Sequence, residues 1–151
     1  MPNTPAQIGQ GVTVWTSHAI NDEQNRWALS ILDSIGISHY MSNEDNIDKA
    51  TAISGSGPAY VFYFTECLMK AALELGFSPE IAKTLAVGTV AGSAAYAQKS
   101  PLDLTTLRQN VTSKGGTTEA ALRVFDGQDL ENITVQATKA AYQRAKELGA
   151  V

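Results

Sequence analysis

The stretch richest in usable chemistry is Val111-Thr112-Ser113-Lys114-Gly115-Gly116-Thr117-Thr118-Glu119. It sets hydroxyls, two adjacent glycines and a lysine between two helical patterns. Glycines let the backbone turn so that successive N–H groups converge on one point. The helix predicted over 118–127 adds its unpaired first N–H groups and the positive end of its dipole. Such a loop can hold a small anion, a carboxylate or a phosphate. The same residues also suit a solvated loop in which Thr117 or Thr118 is an ordinary N-cap. The loop alone suggests anion binding, but no reaction.

Other candidates offer less. Gly9-Gln10-Gly11-Val12 lacks a third glycine and leads into a strand, so it fails the context of a dinucleotide fingerprint. Gly55-Ser56-Gly57-Pro58-Ala59-Tyr60 does open a helix, but Tyr60 stands where a third glycine would be and no strand precedes it. It reads either as a helix cap with close backbone packing or as an anion contact. No Gly-Lys-Ser/Thr of a P-loop occurs. Cys67 is the one cysteine, which excludes a disulfide framework and a cysteine zinc site; its neighbours mark it as a buried small hydrophobe. His18 and His39 have no partner at metal-ligand spacing, so no metal is expected.

The elements that position the loop follow from pattern. Val12–Trp15 is β-prone after an extended start rich in Pro and Gly. Asn21 opens a helix, with Gln24 as its capping-box partner, and Trp27, Ala28, Ile31, Leu32 and Ile35 form its apolar face. Gly36 reads as the C′ residue, and 37–41 as a second short strand. Strand–helix–strand is the grammar of an α/β domain, yet two strands are too few for an independent sheet. Residues 1–44 therefore read as the end of a larger domain. Beyond residue 44 the pattern is helical, over 58–76, 79–98, 102–110, 118–127 and 130–148, the last capped by Asp129. The helix over 58–76 is apolar nearly all round, as in a bundle or an oligomer. Gly88 and Gly92 sit mid-helix, each at a cost of about 1 kcal/mol relative to alanine. That cost calls for a close helix–helix contact, within or between subunits.

Composition narrows the class. The 151 residues carry eleven Lys+Arg against fifteen Asp+Glu, a formal charge of −4, without the clustered basic face of a nucleic-acid binder. The first residues show no signal-peptide pattern, and no apolar run reaches the length of a membrane span. A cytoplasmic protein with neither nucleic-acid nor membrane partners is expected.

Three motifs carry a resemblance. Met1-Pro2-Asn3-Thr4-Pro5-Ala6, Thr51-Ala52-Ile53-Ser54-Gly55-Ser56-Gly57-Pro58-Ala59-Tyr60 and the 111–118 loop resemble signatures of pyrroline-5-carboxylate reductase, in that family's order and approximate spacing. The resemblance implies a mainly α chain: a helical dimerisation and substrate-binding bundle over 45–151, of the 6-phosphogluconate-dehydrogenase C-terminal-like type, after a strand–helix–strand remnant of a Rossmann domain over 1–44. It implies NAD(P)H-dependent reduction of 1-pyrroline-5-carboxylate to L-proline and a homodimer or higher oligomer. By the same resemblance Thr112, Ser113, Gly115, Gly116, Thr117 and Thr118 hold the substrate carboxylate. The Thr118 hydroxyl contacts the ring nitrogen as the catalytic group, and Asn3, Thr4 and Pro5 approach the nicotinamide end of NADP or NAD. A site of this kind needs positioning more than acid–base power, since the cofactor carries the hydride.

The family's glycine fingerprint has no counterpart in these residues, so the isolated chain is expected to be inactive. Lys114 and Leu104 stand where many members have proline. The alternative is a non-catalytic dimerisation or ligand-binding module derived from the same family.

Overall fold

A computed structural model describes residues 1–149. The chain is mainly helical, with a two-stranded parallel sheet at its start. It divides into two compact units, Met1–Val61 together with the stretch from Thr134 onward, and Phe62–Ile133.

In the first unit, strands β1 (Gly11–Trp15) and β2 (Gly36–Tyr40) pair in parallel, with Gly11 opposite Gly36 and Trp15 opposite Tyr40. Helix α1 (Asp22–Asp33) forms the crossover between them, as a parallel pair requires. Its start is the expected capping box: the Asn21 side chain accepts the Gln24 N–H, and the Gln24 side chain accepts the Asn21 N–H. Gly36 is not a helix C′ residue. It opens β2 at φ +143°, and a Cβ there would fall inside the backbone of Gly11. The glycine is required by the close approach of two strands, which hydropathy and turn rules do not reveal.

Strand β1 lies between two neighbours. On its other side Val14 donates to the Met1 carbonyl at 3.1 Å and receives the Met1 amino group at 2.7 Å. Its residues are accordingly almost all buried. Trp15 packs edge-on to Tyr40, ring centres 5.0 Å apart. Strand β2 is half exposed, and no further strand pairs with it among the described residues. Trp27 and Ile31 on the expected apolar face of α1 are 60% and 68% exposed. A single turn of 3₁₀ helix, Thr4–Ile8, occupies the start that reads as extended. It is closed by Gly9 in the left-handed conformation.

Between the sheet and the long helices the chain forms α2 (Asp45–Ala50) and a π-helical turn, Thr51–Gly55. Neither is evident in the sequence, because α2 is short and carries Asp45, Asn46 and Asp48. In the wide turn Ser56 donates to the Thr51 carbonyl at 2.7 Å. Two of its carbonyls are met by side chains: Tyr60 Oη donates to that of Ala52 and Asn3 Nδ2 to that of Ser54.

The remaining helices are α3 (Gly57–Glu74), α4 (Pro79–Lys99), α5 (Leu104–Asn110), α6 (Thr117–Gly127) and α7 (Leu130–Gly149). Ser78 caps α4 by accepting the Ile81 N–H, with Pro79 in its first turn. Asp103 caps α5 in the same manner. Asp129 does not take the extended backbone of an ordinary N-cap; it sits at φ +54° before α7. Phe64 of α3 and Phe125 of α6 meet with ring centres 6.5 Å apart. The buried hydrophobic positions described in α3 to α7 are alanines, Ala72, Ala82 and Ala86. Phe62, Tyr63, Leu75, Ile81 and Leu85 are exposed. Cys67, expected to be buried, lies exposed on α3. A Cβ added at Gly88 or Gly92 would meet nothing within 4 Å, so their close contact is not made among the described residues.

Helix α7 is tied to α2 by Tyr142, whose hydroxyl donates to Asp45 Oδ1 at 2.6 Å, while Lys49 Nζ lies 2.6 Å from Oδ2 of the same carboxylate. The hydrogen bond from Lys49 and then that from Tyr142 hold the Asp45 carboxyl below its ordinary range. The hydrogen bond to Asp45 raises the Tyr142 hydroxyl.

Two outcomes follow from these contacts. Gly36→Ala is expected to lower the thermal midpoint by several degrees, on the order of 2 kcal/mol, through strain at a positive φ and collision with Gly11. An unchanged midpoint contradicts the close approach. For the α2–α7 tie, a depressed folded-state carboxyl contributes stability above its unfolded value and loses it as pH falls through the folded one. Protection factors of the α7 amides, that is exchange corrected for its intrinsic pH dependence, are therefore expected to stay high at pH 6 and to fall as pH drops below about 4. In Tyr142→Phe, where one of the carboxylate's two donors is gone, that pH dependence is expected to be shallower.

Candidate functional site

The 111–118 loop lies within the second unit and joins α5 to α6. Its geometry is built by its own backbone. Helix α5 ends as the Thr112 N–H donates to the Gln109 carbonyl at 2.9 Å and its Oγ1 to the Arg108 carbonyl at 2.6 Å. The Thr112 hydroxyl proton is thus committed to closing the helix. Ser113 then begins a turn, in which the Gly116 N–H donates to the Ser113 carbonyl at 2.9 Å. Gly115 takes the left-handed conformation at φ +74°, which a residue with a Cβ adopts at a cost of roughly 1 kcal/mol or more. Gly116 is the N-cap of α6, with extended backbone and no side chain to offer. A Cβ at Gly116 would collide with the Ser113 Oγ. Both glycines are therefore dictated by the turn, one by its φ and the other by crowding.

The helix that follows leaves its first N–H groups without intrahelical partners, those of Thr117, Thr118 and Glu119. The first bond back is from the Ala120 N–H to the Gly116 carbonyl, at 3.2 Å. The Ser113 hydroxyl stands exposed beside Gly116, and Thr118 is half-buried in the first turn. Lys114 is exposed at the tip. Free N–H groups at a helix dipole's positive end, with hydroxyls close by, can bind a carboxylate. Sequence reasoning overlooked Glu119. Its Oε2 accepts the Gly115 N–H at 2.8 Å, so the acidic residue in the first turn of α6 reaches back onto the loop. The signal was present as a glutamate three residues after the N-cap, the spacing of a capping box, but a glycine at the cap concealed it.

The segment expected near a cofactor lies in the first unit. The Asn3 carboxamide is engaged at both ends: Oδ1 accepts the Val12 N–H at 2.9 Å and Nδ2 donates to the Ser54 carbonyl at 3.0 Å. Thr4 and Pro5 form the first turn of the 3₁₀ helix. Asn3 thereby joins the start of β1 to the π-helical turn. A shallow cleft of about 460 Å³ opens in the same unit beside Trp15, Tyr40, Asn21 and Asp22; none of the site residues expected from the sequence lines it. Among the described residues no group of His, Cys, Asp and Glu could hold a metal ion. No described helix is long and apolar enough to cross a membrane.

Residues 44–148 match the family model described as pyrroline-5-carboxylate reductase dimerisation. The chain belongs to the pyrroline-5-carboxylate reductase family. It is 40% identical to the pyrroline-5-carboxylate reductase of Pseudomonas aeruginosa over 149 residues, which are 98% of this chain and 55% of that protein. It is 37% identical to that of Vibrio alginolyticus over 150 residues, again 98% and 55%. Among solved structures, a pyrroline-5-carboxylate reductase from Coxiella burnetii superposes with a TM-score of 0.93 at 42% identity, over 98% of this chain and 55% of the other. Plasmodium falciparum pyrroline carboxylate reductase, solved with NADP bound, gives 0.91 at 35% identity, over 99% and 61%. The chain spans a little over half the length of these reductases. The likeness covers both the strand–helix–strand start and the helices that follow.

The geometry of this reductase-family loop yields a direct test. Gly116→Ala is expected to displace Ser113 and shift the backbone amides of 113–118, while amides of α3 and α4 keep their positions in the NMR spectrum. Unmoved loop amides contradict the crowding described.

Proposed function

We propose that the chain supplies the substrate-binding loop and the dimer core of a cytoplasmic pyrroline-5-carboxylate reductase, which reduces 1-pyrroline-5-carboxylate to L-proline. The observation that carries this reading is the loop from Ser113 to Thr118, a glycine turn feeding the free N–H groups of a helix start. It is joined by membership of the reductase family. In this reading the substrate carboxylate is held by the loop backbone and the Ser113 hydroxyl, with Thr112, Gly115 and Gly116 fixing the turn and Thr117 offering its N–H. The Thr118 hydroxyl contacts the ring nitrogen and orients the imine toward the hydride donor.

NADP or NAD supplies the hydride when bound. Because the Asn3 carboxamide is already engaged, Asn3, Thr4 and Pro5 suit a rigid shelf beside the nicotinamide end better than a set of hydrogen-bond donors. Residues 1–44 are then the closing strand–helix–strand of a Rossmann domain. The half-paired β2 and the exposed Trp27 and Ile31 support that assignment, since both faces of a parallel sheet are normally covered. The cofactor's main contacts fall outside these residues, and the 151-residue chain alone is expected to oxidise no NADPH with the imine.

The second part of the proposal is a homodimer formed through α3 and α4. The exposed apolar side chains of both helices support it, as does the open space at Gly88 and Gly92.

L-Proline, the product, is the direct probe. Titrated into the isotopically labelled chain, it is expected to shift amides of 113–119 and to leave α1 and the sheet unmoved. Shifts absent from the loop, or centred elsewhere, count against a substrate site there.

A further inference from the structure

Of the four successive N–H groups from Gly115 to Thr118, two are spent inside the protein. Gly116 donates to the Ser113 carbonyl and Gly115 to Glu119 Oε2. Those of Thr117 and Thr118 have no intrahelical partner. Glu119 is the third residue of α6, and from there its side chain reaches back one turn to the glycine corner. Among the described residues its carboxylate is further restrained only by Arg123, at 3.9 Å and mostly exposed, a contact of little strength in water. The bond to Gly115 is therefore the main restraint on both partners. It fixes the residue whose positive φ sets the direction of the turn.

We propose that Glu119 is the positioning residue of this loop: its carboxylate pins the Gly115 N–H, so that a ligand carboxylate is met by the N–H groups of Thr117 and Thr118 rather than by the glycine corner. The inference rests on the substrate-loop reading above, and it adds both a residue and a division of labour to it. Glu119 touches no ligand in this account. It acts through the Gly115 peptide, and a neutral acceptor of the same shape should largely replace it.

The test compares the wild-type chain with Glu119→Gln and Glu119→Ala by amide NMR, first alone and then with L-proline. In the wild type the Gly115 amide proton is expected to exchange slowly and to show the weak temperature dependence of a hydrogen-bonded amide. Glu119→Gln should retain most of that protection and keep the Gly115, Thr117 and Thr118 amides near their wild-type positions. Glu119→Ala should move all three and weaken L-proline about tenfold, the loss of one charge-assisted bond, while Glu119→Gln stays within about threefold. A Gly115 amide that exchanges freely in the wild type overturns the proposal, as does a Glu119→Ala variant with unmoved loop amides or wild-type affinity. Failure of the wild type to bind L-proline would instead sink the substrate reading, and protection of the Gly115 amide, with its loss in Glu119→Ala, would still decide whether Glu119 holds the loop.

Discussion

Apolar surface without cover dominates this chain. Helices α3 and α4 carry Phe62, Tyr63, Phe64, Ile81, Leu85 and Val87 on their exterior, while the buried hydrophobic positions described along them are alanines. Each large side chain taken from water is worth roughly 1.5–3 kcal/mol, and a contiguous exposed apolar patch marks an interaction surface. Small residues sharpen the point. Gly88 and Gly92 cost helix stability, and among the described residues nothing fills the space beside them. A second copy laid against the same faces would cover the side chains and use the glycines. Membership of a family whose model is named for dimerisation agrees with that solution. The second unit thus makes sense as half of a core rather than as a whole one.

A different constraint governs the first unit, where backbones approach closely. Gly11 and Gly36 face one another across β1 and β2 without room for a Cβ, and the Asn3 carboxamide bridges the β1 backbone to the π-helical turn. Wide helical turns leave backbone carbonyls to be satisfied by other groups, and here Asn3 and Tyr60 supply the donors. The Pro-Asn-Thr-Pro segment and the Gly-Ser-Gly-Pro segment are distant in sequence. The Asn3 carboxamide links the first to Ser54, just ahead of the second, and the Met1 side chain lies against Gly55. This gives Asn3 a structural duty independent of any cofactor.

Much of this was legible in the sequence. The Asn21–Gln24 capping box, the start of α4 and the loop before α6 are local features written in adjacent residues, and local rules find them; the helix read from 102 instead begins at Leu104, behind an Asp103 cap. The rest depends on partners far along the chain. Gly36 looks like a helix stop until Gly11 is placed against it. The Thr51–Gly55 turn has no periodicity of its own and is held by Asn3 and Tyr60. Cys67 reads as core because its neighbours are apolar, but the face it shares is left uncovered by this chain. At the site, adjacent glycines announced the tight turn ahead of α6. Glu119 escaped notice because a capping box without a capping side chain is only half a signal.

Sedimentation equilibrium of the purified 151-residue chain tests the central claim most directly. A dimer or larger assembly at micromolar concentration, with no folded monomer on dilution until helicity is lost, is the predicted result. A stable, fully helical monomer at that concentration would contradict it, since the exposed faces of α3 and α4 would then need no second copy.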